Sequence, residues 1–185
     1  MKEKELKILK KYFSKKRIFL FKCSILYTSG GKWRKVANMM FLGQYEHSLD
    51  KKGRIIMPSN FREDLGDTFI ITFGLDKCLF VYPMEEWKKL ANNLQELPLG
   101  RKDARAFKRT LASRALVSHF DQQGRAVISK HLRDYAEITK NVMIIGVFER
   151  IEIWDLKKWE GYAEETEHSY EDIAERIYEK EGQDS

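Results

Sequence analysis

Between residues 41 and 155 the apolar positions occur in short runs that are separated by turn residues. Short runs of apolar and β-branched residues bounded by glycine or proline are typical of buried strands. One such run ends at Pro58, and two others flank a turn at 74–77. The pattern predicts strands at 55–57, 69–73, 78–82, 126–128, 142–147 and 150–154.

Further segments carry apolar residues at every third or fourth position, which places them on one face of a helix. The last of these segments is long and amphipathic, and its outer face is acidic. The chain therefore alternates a β-rich unit, a helical hairpin, a second β-rich unit and a terminal helix. The predicted helices cover 60–65, 85–97, 102 to about 113, 130–136 and 156–177.

One five-residue motif occurs twice. Asp50-Lys51-Lys52-Gly53-Arg54 recurs as Asp121-Gln122-Gln123-Gly124-Arg125, with an apolar residue before each copy and mostly apolar residues after it. The aspartate of each copy is suited to open a turn by accepting backbone hydrogen bonds, and the glycine can adopt a positive φ. Two copies in register predict a pseudo-symmetric structure built from one repeated unit.

The fold class predicted from this order is α+β. Each β-rich unit is too small to bury a good core alone, so the two units are expected to interlock into one pseudo-twofold, barrel-like core. The expected divisions are a basic leader, β-unit 1, a helical connector, β-unit 2, and an acidic helix with its tail, at 1–39, 44–86, 87–114, 115–158 and 159–185.

Net charge is unevenly distributed along the chain. The formal charge is +6, but residues 1–39 contain 12 Lys and Arg against 2 Asp and Glu, whereas the remaining residues are net acidic. Residues 161–185 alone carry 9 acidic and 2 basic side chains. Binding to nucleic acid must therefore depend on a local basic surface, because the overall charge of the repeated body does not favour it.

Residues 1–39 allow three interpretations: a disordered basic arm that touches DNA, a short surface helix, or upstream sequence included before a true start at Met39 or Met40. Their apolar stretches are too short to span a bilayer, which needs about 20 apolar residues. A signal peptide would require a longer apolar run and a small-residue cleavage site. We expect this leader to be disordered or to result from a wrongly assigned start.

The remaining chemistry of the chain is sparse. Two cysteines, Cys23 and Cys78, form neither a disulfide framework nor a metal-binding spacing, which favours a reducing cytoplasm. The four histidines share no ligand spacing, and no phosphate loop or nucleophile motif is present. We therefore expect no enzyme activity, no metal, no cofactor, no small-molecule substrate and no membrane association.

The two motif arginines, Arg54 and Arg125, allow two interpretations. Each could simply form an ion pair with the aspartate of its own turn. Alternatively, both could contact DNA together with Lys51 and Lys52, because a guanidinium can bind a phosphate or a guanine through two hydrogen bonds. On the second interpretation Arg54, Arg125, Lys51 and Lys52 bind DNA, while Asp50, Gly53, Asp121 and Gly124 form the turns.

From residue 40 to about 170 the sequence resembles the MraZ family of bacterial transcriptional regulators. The matching stretches include MFLGQYEHSLDKKGRIIMP, LPLGRKDARAFKR, DQQGRAVIS and VMIIGVFERIEIW. The resemblance implies two fused AbrB/SpoVT-type swapped-hairpin units, assembly into a ring of subunits, and motif arginines that face double-stranded DNA. It departs from many relatives in Ser59-Asn60 after the first strand, in Ser129 after the second, and in Leu42.

The function expected on these grounds is sequence-specific DNA binding by a homo-oligomeric transcriptional regulator of division and cell-wall genes, including its own operon. Repeated short promoter elements would be its targets, and the cytoplasm and nucleoid its location. An alternative is an AbrB-like protein-interaction module, similar to antitoxins, in which DNA binding is secondary. The acidic terminal helix is the feature that would serve this alternative.

Overall fold

The structure, a computed structural model, describes residues 40–181, with side chains up to Ile177. The expectations for the leader at 1–39 and for the last four residues lie outside the described residues. The described part is an α+β structure, as predicted, with eight strands and five helices. The strands are β1 Phe41–Ser48, β2 Arg54–Ile56, β3 Thr68–Phe73, β4 Leu79–Pro83, β5 Leu116–His119, β6 Arg125–Val127, β7 Asn141–Phe148 and β8 Arg150–Asp155.

The helices occur where apolar spacing predicted them, with small differences at their ends. The two short helices follow β2 and β6, and a helical hairpin lies between the β-rich halves. The first short helix begins at Ser59, and no side chain caps its N-terminus. The helices are α1 Ser59–Leu65, α2 Met84–Glu96, α3 Lys102–Arg114, α4 Lys130–Ala136 and α5 Leu156–Glu181.

The strands of the two halves are interleaved. Six strands form one antiparallel sheet in the order β1-β7-β8-β4-β3-β5, so β1 of the first half pairs with β7 of the second, and β5 pairs with β3. The short strands β2 and β6 form a separate two-stranded antiparallel sheet, called here the ribbon. Neither half can complete its pairing without the other, and the core is enclosed by two sheets rather than by one continuous sheet.

The main core lies between the ribbon, the short helices and the six-stranded sheet. From the ribbon it receives Ile55 and Ala126, which face each other and are fully buried. Phe61 of α1 packs edge-on against both Phe41 and Tyr45 of β1. Burying a large apolar side chain contributes roughly 1.5–3 kcal/mol, so one core shared by both halves makes their folding cooperative.

A smaller cluster on the other side of the sheet contains a buried carboxylate. Glu152 of β8 accepts hydrogen bonds from Arg150 at 2.8 and 3.0 Å and from the indole of Trp154 at 3.1 Å. The Arg150 guanidinium also lies over the ring of Phe80, 4.5 Å from its centre. Arg150 therefore neutralises a charge that would otherwise be buried without a partner.

Arg150→Met is expected to lower the free energy of unfolding by about 2 kcal/mol, because it leaves the Glu152 carboxylate buried without a counter-charge. This is less than the cost at a fully buried pair, because the Arg150 side chain is 24% exposed. Urea unfolding of Arg150→Met beside Arg176→Met, which removes an exposed arginine from α5, would measure the difference. Equal stability of the two variants would contradict the structural role of Arg150.

None of the helices between residues 40 and 181 is both long enough and apolar enough to cross a bilayer.

Candidate nucleic-acid interface

The first motif forms a closed turn around one aspartate. Asp50 Oδ1 accepts the backbone N–H groups of Lys52 at 2.8 Å and of Arg54 at 3.0 Å, and its carbonyl accepts the N–H of Gly53 at 2.9 Å. The N–H of Asp50 in turn donates to the carbonyl of Arg54. Gly53 has φ +73°, which residues with a side chain rarely adopt. The aspartate and the glycine are thus required by the turn itself.

The second motif repeats this geometry. Asp121 Oδ1 accepts the N–H groups of Gln123 at 2.9 Å and of Arg125 at 3.0 Å, and Gly124 has φ +71°. Asp121 Oδ2 lies 2.7 Å from Nε of Arg125, as Asp50 Oδ2 does from Nε of Arg54. The sequence repeat is therefore a repeat of structure down to individual hydrogen bonds.

The two turns also hold each other through the backbone of the ribbon. The N–H of Met57 donates to the carbonyl of Gly124, and the N–H of Ile128 donates to the carbonyl of Gly53. These bonds extend the pairing of β2 with β6, in which Ile55 is opposite Ala126. The ribbon and its two turns therefore form one unit with approximate twofold symmetry.

Two further arginines pack against the glycines of the turns, and this contact was not predicted from the sequence. Arg133 of α4 lies so close to Gly53 that a Cβ added there would overlap its guanidinium, and Arg62 of α1 lies in the same way against Gly124. Arg133 also donates to the carbonyl of Ile128 at 2.6 Å. The contact is reciprocal: the short helix of each half packs on the turn of the other half. The recurrence of both arginines in the sequence was the signal for it.

Each motif arginine is bound along one edge of its guanidinium by the aspartate of its own turn. Asp50 Oδ2 lies 2.7 Å from Nε and 2.6 Å from Nη2 of Arg54, so the carboxylate binds that edge of the guanidinium. The Nη1–Nη2 edge keeps free donors, although Nη1 lies 3.7 Å from Asp121 Oδ2. Both motif arginines are 24% exposed in their side chains. An arginine held in this way loses little side-chain entropy on binding a second acceptor.

The lysines of the first turn are exposed. Lys51 and Lys52 are at the tip of the turn, next to the motif arginine, and the second turn has Gln122 and Gln123 at the same positions. The two turns therefore share their geometry and differ in charge. The structure brings every predicted residue of the motifs into this one region.

Both motif aspartates are strongly acidic. The hydrogen bond from the side chain of Arg54, followed by that from its backbone, lowers the pKa of Asp50 to about 2. Arg125 lowers the pKa of Asp121 to about 2 for the same reasons. Each carboxyl titrates near 3.9 in an unfolded chain, so its ionised form adds to the stability of the folded state.

We expect the stabilisation from these carboxylates to be complete above about pH 4 and to be lost as the pH falls towards 2, because their pKa is lower in the folded state than in the unfolded state. Asp50→Asn with Asp121→Asn keeps one acceptor oxygen on each side chain for the backbone N–H groups, but removes the charge and the second oxygen, which accepts from the arginine. The stability difference between this variant and the original protein, from urea unfolding at pH 2 to 6, should be largest at the upper end of this range and shrink steadily as the pH falls from 4 to 2. A constant difference would contradict the assignment.

Two of the basic side chains on α3 bind backbone carbonyls; the full basic set on this helix is Lys102, Arg105, Lys108, Arg109 and Arg114. Arg105 donates to the carbonyls of Leu99 and Gly100 at 2.6 and 2.8 Å, and Lys108 donates to the carbonyl of Leu97 at 2.9 Å. These carbonyls follow the end of α2, where cations are favoured. Both side chains therefore stabilise the helical hairpin. Among the side chains that the structure describes, from Met40 to Ile177, no three His, Cys, Asp or Glu are grouped in a way that could hold a metal ion.

Comparison with known proteins gives a consistent match. Residues 40–110 and 111–180 each match the sequence model of a family described as "MraZ protein, putative antitoxin-like". Similar proteins include one from Natranaerobius thermophilus, 52% identical over 75% of this chain and 96% of its own length, and one from Halothermothrix orenii, 54% identical over 73% and 94%. A third, from Caldanaerobacter subterraneus, is 51% identical over 75% and 96%. All three are named "Transcriptional regulator MraZ". With two matched repeats and relatives this similar over nearly their whole length, the chain belongs to the MraZ family.

Proposed function

We propose that this protein is a sequence-specific DNA-binding transcriptional regulator. The observation that carries the proposal is the pair of matched turns on one ribbon, each with an arginine held by its own aspartate. The names of the relatives, all given as transcriptional regulators, agree with it. Such a protein acts in the bacterial cytoplasm and nucleoid, and its partner is double-stranded DNA.

In the proposed complex the ribbon enters the major groove, which is wide enough for two antiparallel strands. Arg54 and Arg125 each offer the Nη1–Nη2 edge to a guanine or to a phosphate, while Asp50 and Asp121 keep the guanidinium groups in place. Lys51 and Lys52 bind the phosphate backbone without regard to sequence. Gly53 and Gly124 allow the tight turns that set the positions of these cations.

A single ribbon offers few cations, so we propose that affinity comes from assembly. In a homo-oligomer, as the family resemblance implies for rings of subunits, several ribbons contact one duplex and their contacts add through effective concentration. This arrangement favours repeated short elements in promoters, including the one upstream of the protein's own gene and those of division and cell-wall genes.

The same proposal extends to the fold. The exchange of strands between the halves and the reciprocal packing of α1 and α4 support two AbrB-like swapped-hairpin units fused in one chain. On this view residues 44–86 and 115–158 are the units, residues 87–114 connect them, and residues 159–185 form an acidic extension.

The test is a gel-shift titration at two salt concentrations, with DNA from the protein's own upstream region beside scrambled DNA of equal length. We expect tight binding to the first only, weakened by salt because phosphate contacts release counterions. A tandem array of elements should bind far more tightly than one element. Equal and weak binding to both DNAs would reject the proposal, and equal affinity for one element and for an array would reject the role of assembly.

A protein-interaction function remains the second candidate. The description of the family as antitoxin-like agrees with it, and so does α5, on which seven acidic side chains between 160 and 175 are exposed. A basic partner protein would suit this surface. Co-purification of one stoichiometric partner, lost when the acidic residues of α5 are changed to glutamine or asparagine, would favour this function over DNA binding.

A further inference from the structure

The outer face of the ribbon combines charge with exposed aliphatic side chains. Along each short strand the side chains alternate, so Ile55 and Ala126 point into the core and are fully buried. Their neighbours Ile56 and Val127 point outwards and are 50% and 55% exposed. Both β-branched residues therefore present apolar surface to the solvent on the same face as the motif arginines.

The register of the ribbon arranges these four residues in a square. Arg54 is directly opposite Val127, and Ile56 is directly opposite Arg125. Opposite side chains are about 5 Å apart, and alternate residues on one strand are about 7 Å apart. The arginines thus occupy one diagonal and the aliphatic residues the other, so any molecule that binds both arginines must cover Ile56 and Val127.

We infer that Ile56 and Val127 contact the 5-methyl groups of thymines in the major groove and thereby help to determine which sequences are bound. This inference rests on the proposed function, because it requires the ribbon to enter the groove. Of the groups that base edges expose in the major groove, the thymine methyl is the apolar one, and aliphatic side chains bind it there. The surface that recognises the DNA sequence then consists of two arginines, each able to form two hydrogen bonds, and one aliphatic side chain beside each arginine.

The charges around this face favour DNA over a second copy of the chain as its partner. The ribbon and its two turns carry four cations, Lys51, Lys52, Arg54 and Arg125, against the two motif aspartates. Two such faces brought together would place like charges against each other. DNA is a polyanion with apolar methyl groups in its major groove, so it matches both the positive charge of this face and the exposed pair Ile56 and Val127.

The test compares two DNA probes with the sequence of the protein's own upstream region. One probe contains thymine, and the other contains deoxyuracil, which lacks the 5-methyl group, at the same positions. The proteins are the full chain, the Ile56→Ser/Val127→Ser variant and a Val117→Ser control. Serine lacks the methyl group through which threonine could still contact thymine, and Val117 is 62% exposed on β5 of the main sheet. Light scattering on each protein reports whether assembly is unchanged.

One methyl contact is worth about fourfold in affinity, so with two contacts the original protein and the control should bind the deoxyuracil probe about fifteenfold more weakly. The double variant should bind both probes alike, near the level of the original protein on deoxyuracil, with unchanged assembly. Specific binding with equal affinity for both probes would overturn the inference and leave the proposed function standing. A thymine preference that persists in the variant, or a variant that loses assembly, would also overturn it. No sequence-dependent binding to the thymine probe would reject the proposed function together with the inference.

Discussion

Replacing both motif arginines by lysine is expected to weaken binding to the upstream DNA by at least about thirtyfold, since each contact that an arginine makes to a base through two hydrogen bonds is worth roughly 1–3 kcal/mol. Lysine keeps the positive charge but has a single ammonium in place of the fork. A lysine at position 54 can bind either Asp50 or DNA. The Arg54 guanidinium can bind Asp50 along one edge and DNA along another. Binding to scrambled DNA, which depends on charge, should change little.

Gel-shift titration on both DNAs, with light scattering of each protein, would measure this effect. Arg109→Lys is the matched control. Arg109 is exposed on α3, so this substitution makes the same chemical change at a site away from the ribbon. A double variant that assembles normally and still binds its upstream DNA at the original affinity would contradict a role in recognition. Loss of assembly would instead assign Arg54 and Arg125 to the structure alone.

Gly53→Ala is expected to reduce the free energy of unfolding by about 3 kcal/mol. The positive φ costs an alanine about 1–2 kcal/mol. The new methyl group would also displace the Arg133 guanidinium from its hydrogen bond to the carbonyl of Ile128, a loss of about 1 kcal/mol or more. Because Arg133 belongs to the second half of the chain, damage to the first turn should destabilise both halves in one transition.

Urea unfolding, followed by circular dichroism, would measure this loss. Gly100→Ala is the control, because Gly100 is exposed and a Cβ added there meets no atom within 4 Å. Combining Gly53→Ala with Arg133→Ala removes the overlap, so the costs of the two changes should sum to more than the cost of the pair. Strict additivity would show that Arg133 does not pack on the turn as described.

Local features were predictable from the sequence because they depend on neighbours in the chain. The Asp50 turn is closed by hydrogen bonds within five residues, and the second copy repeats them around Asp121. Apolar spacing located the helical hairpin and the long terminal helix for the same reason. Even the fold class followed from the order of these segments.

Contacts between the two halves could not be predicted in the same way. Nothing in the spacing of residues indicates that Arg62 packs on Gly124 and Arg133 on Gly53, although the recurrence of both arginines was visible. The exposure of Ile56 was likewise hidden, because an uninterrupted apolar run predicts a strand buried on both faces. A strand paired only within a two-stranded ribbon has one outer face, and the sequence does not state which residues occupy it.

The sequence by itself determined two equivalent turns, their aspartates and glycines, and the α+β order of the chain, since these depend on interactions over a few residues. Only the tertiary structure decided that β1 pairs with β7, that β2 pairs with β6, and that Arg54, Ile56, Arg125 and Val127 share one face. Pairing of distant segments depends on which arrangement buries the most apolar surface while satisfying the backbone. That choice is made by the whole core, and no single motif encodes it.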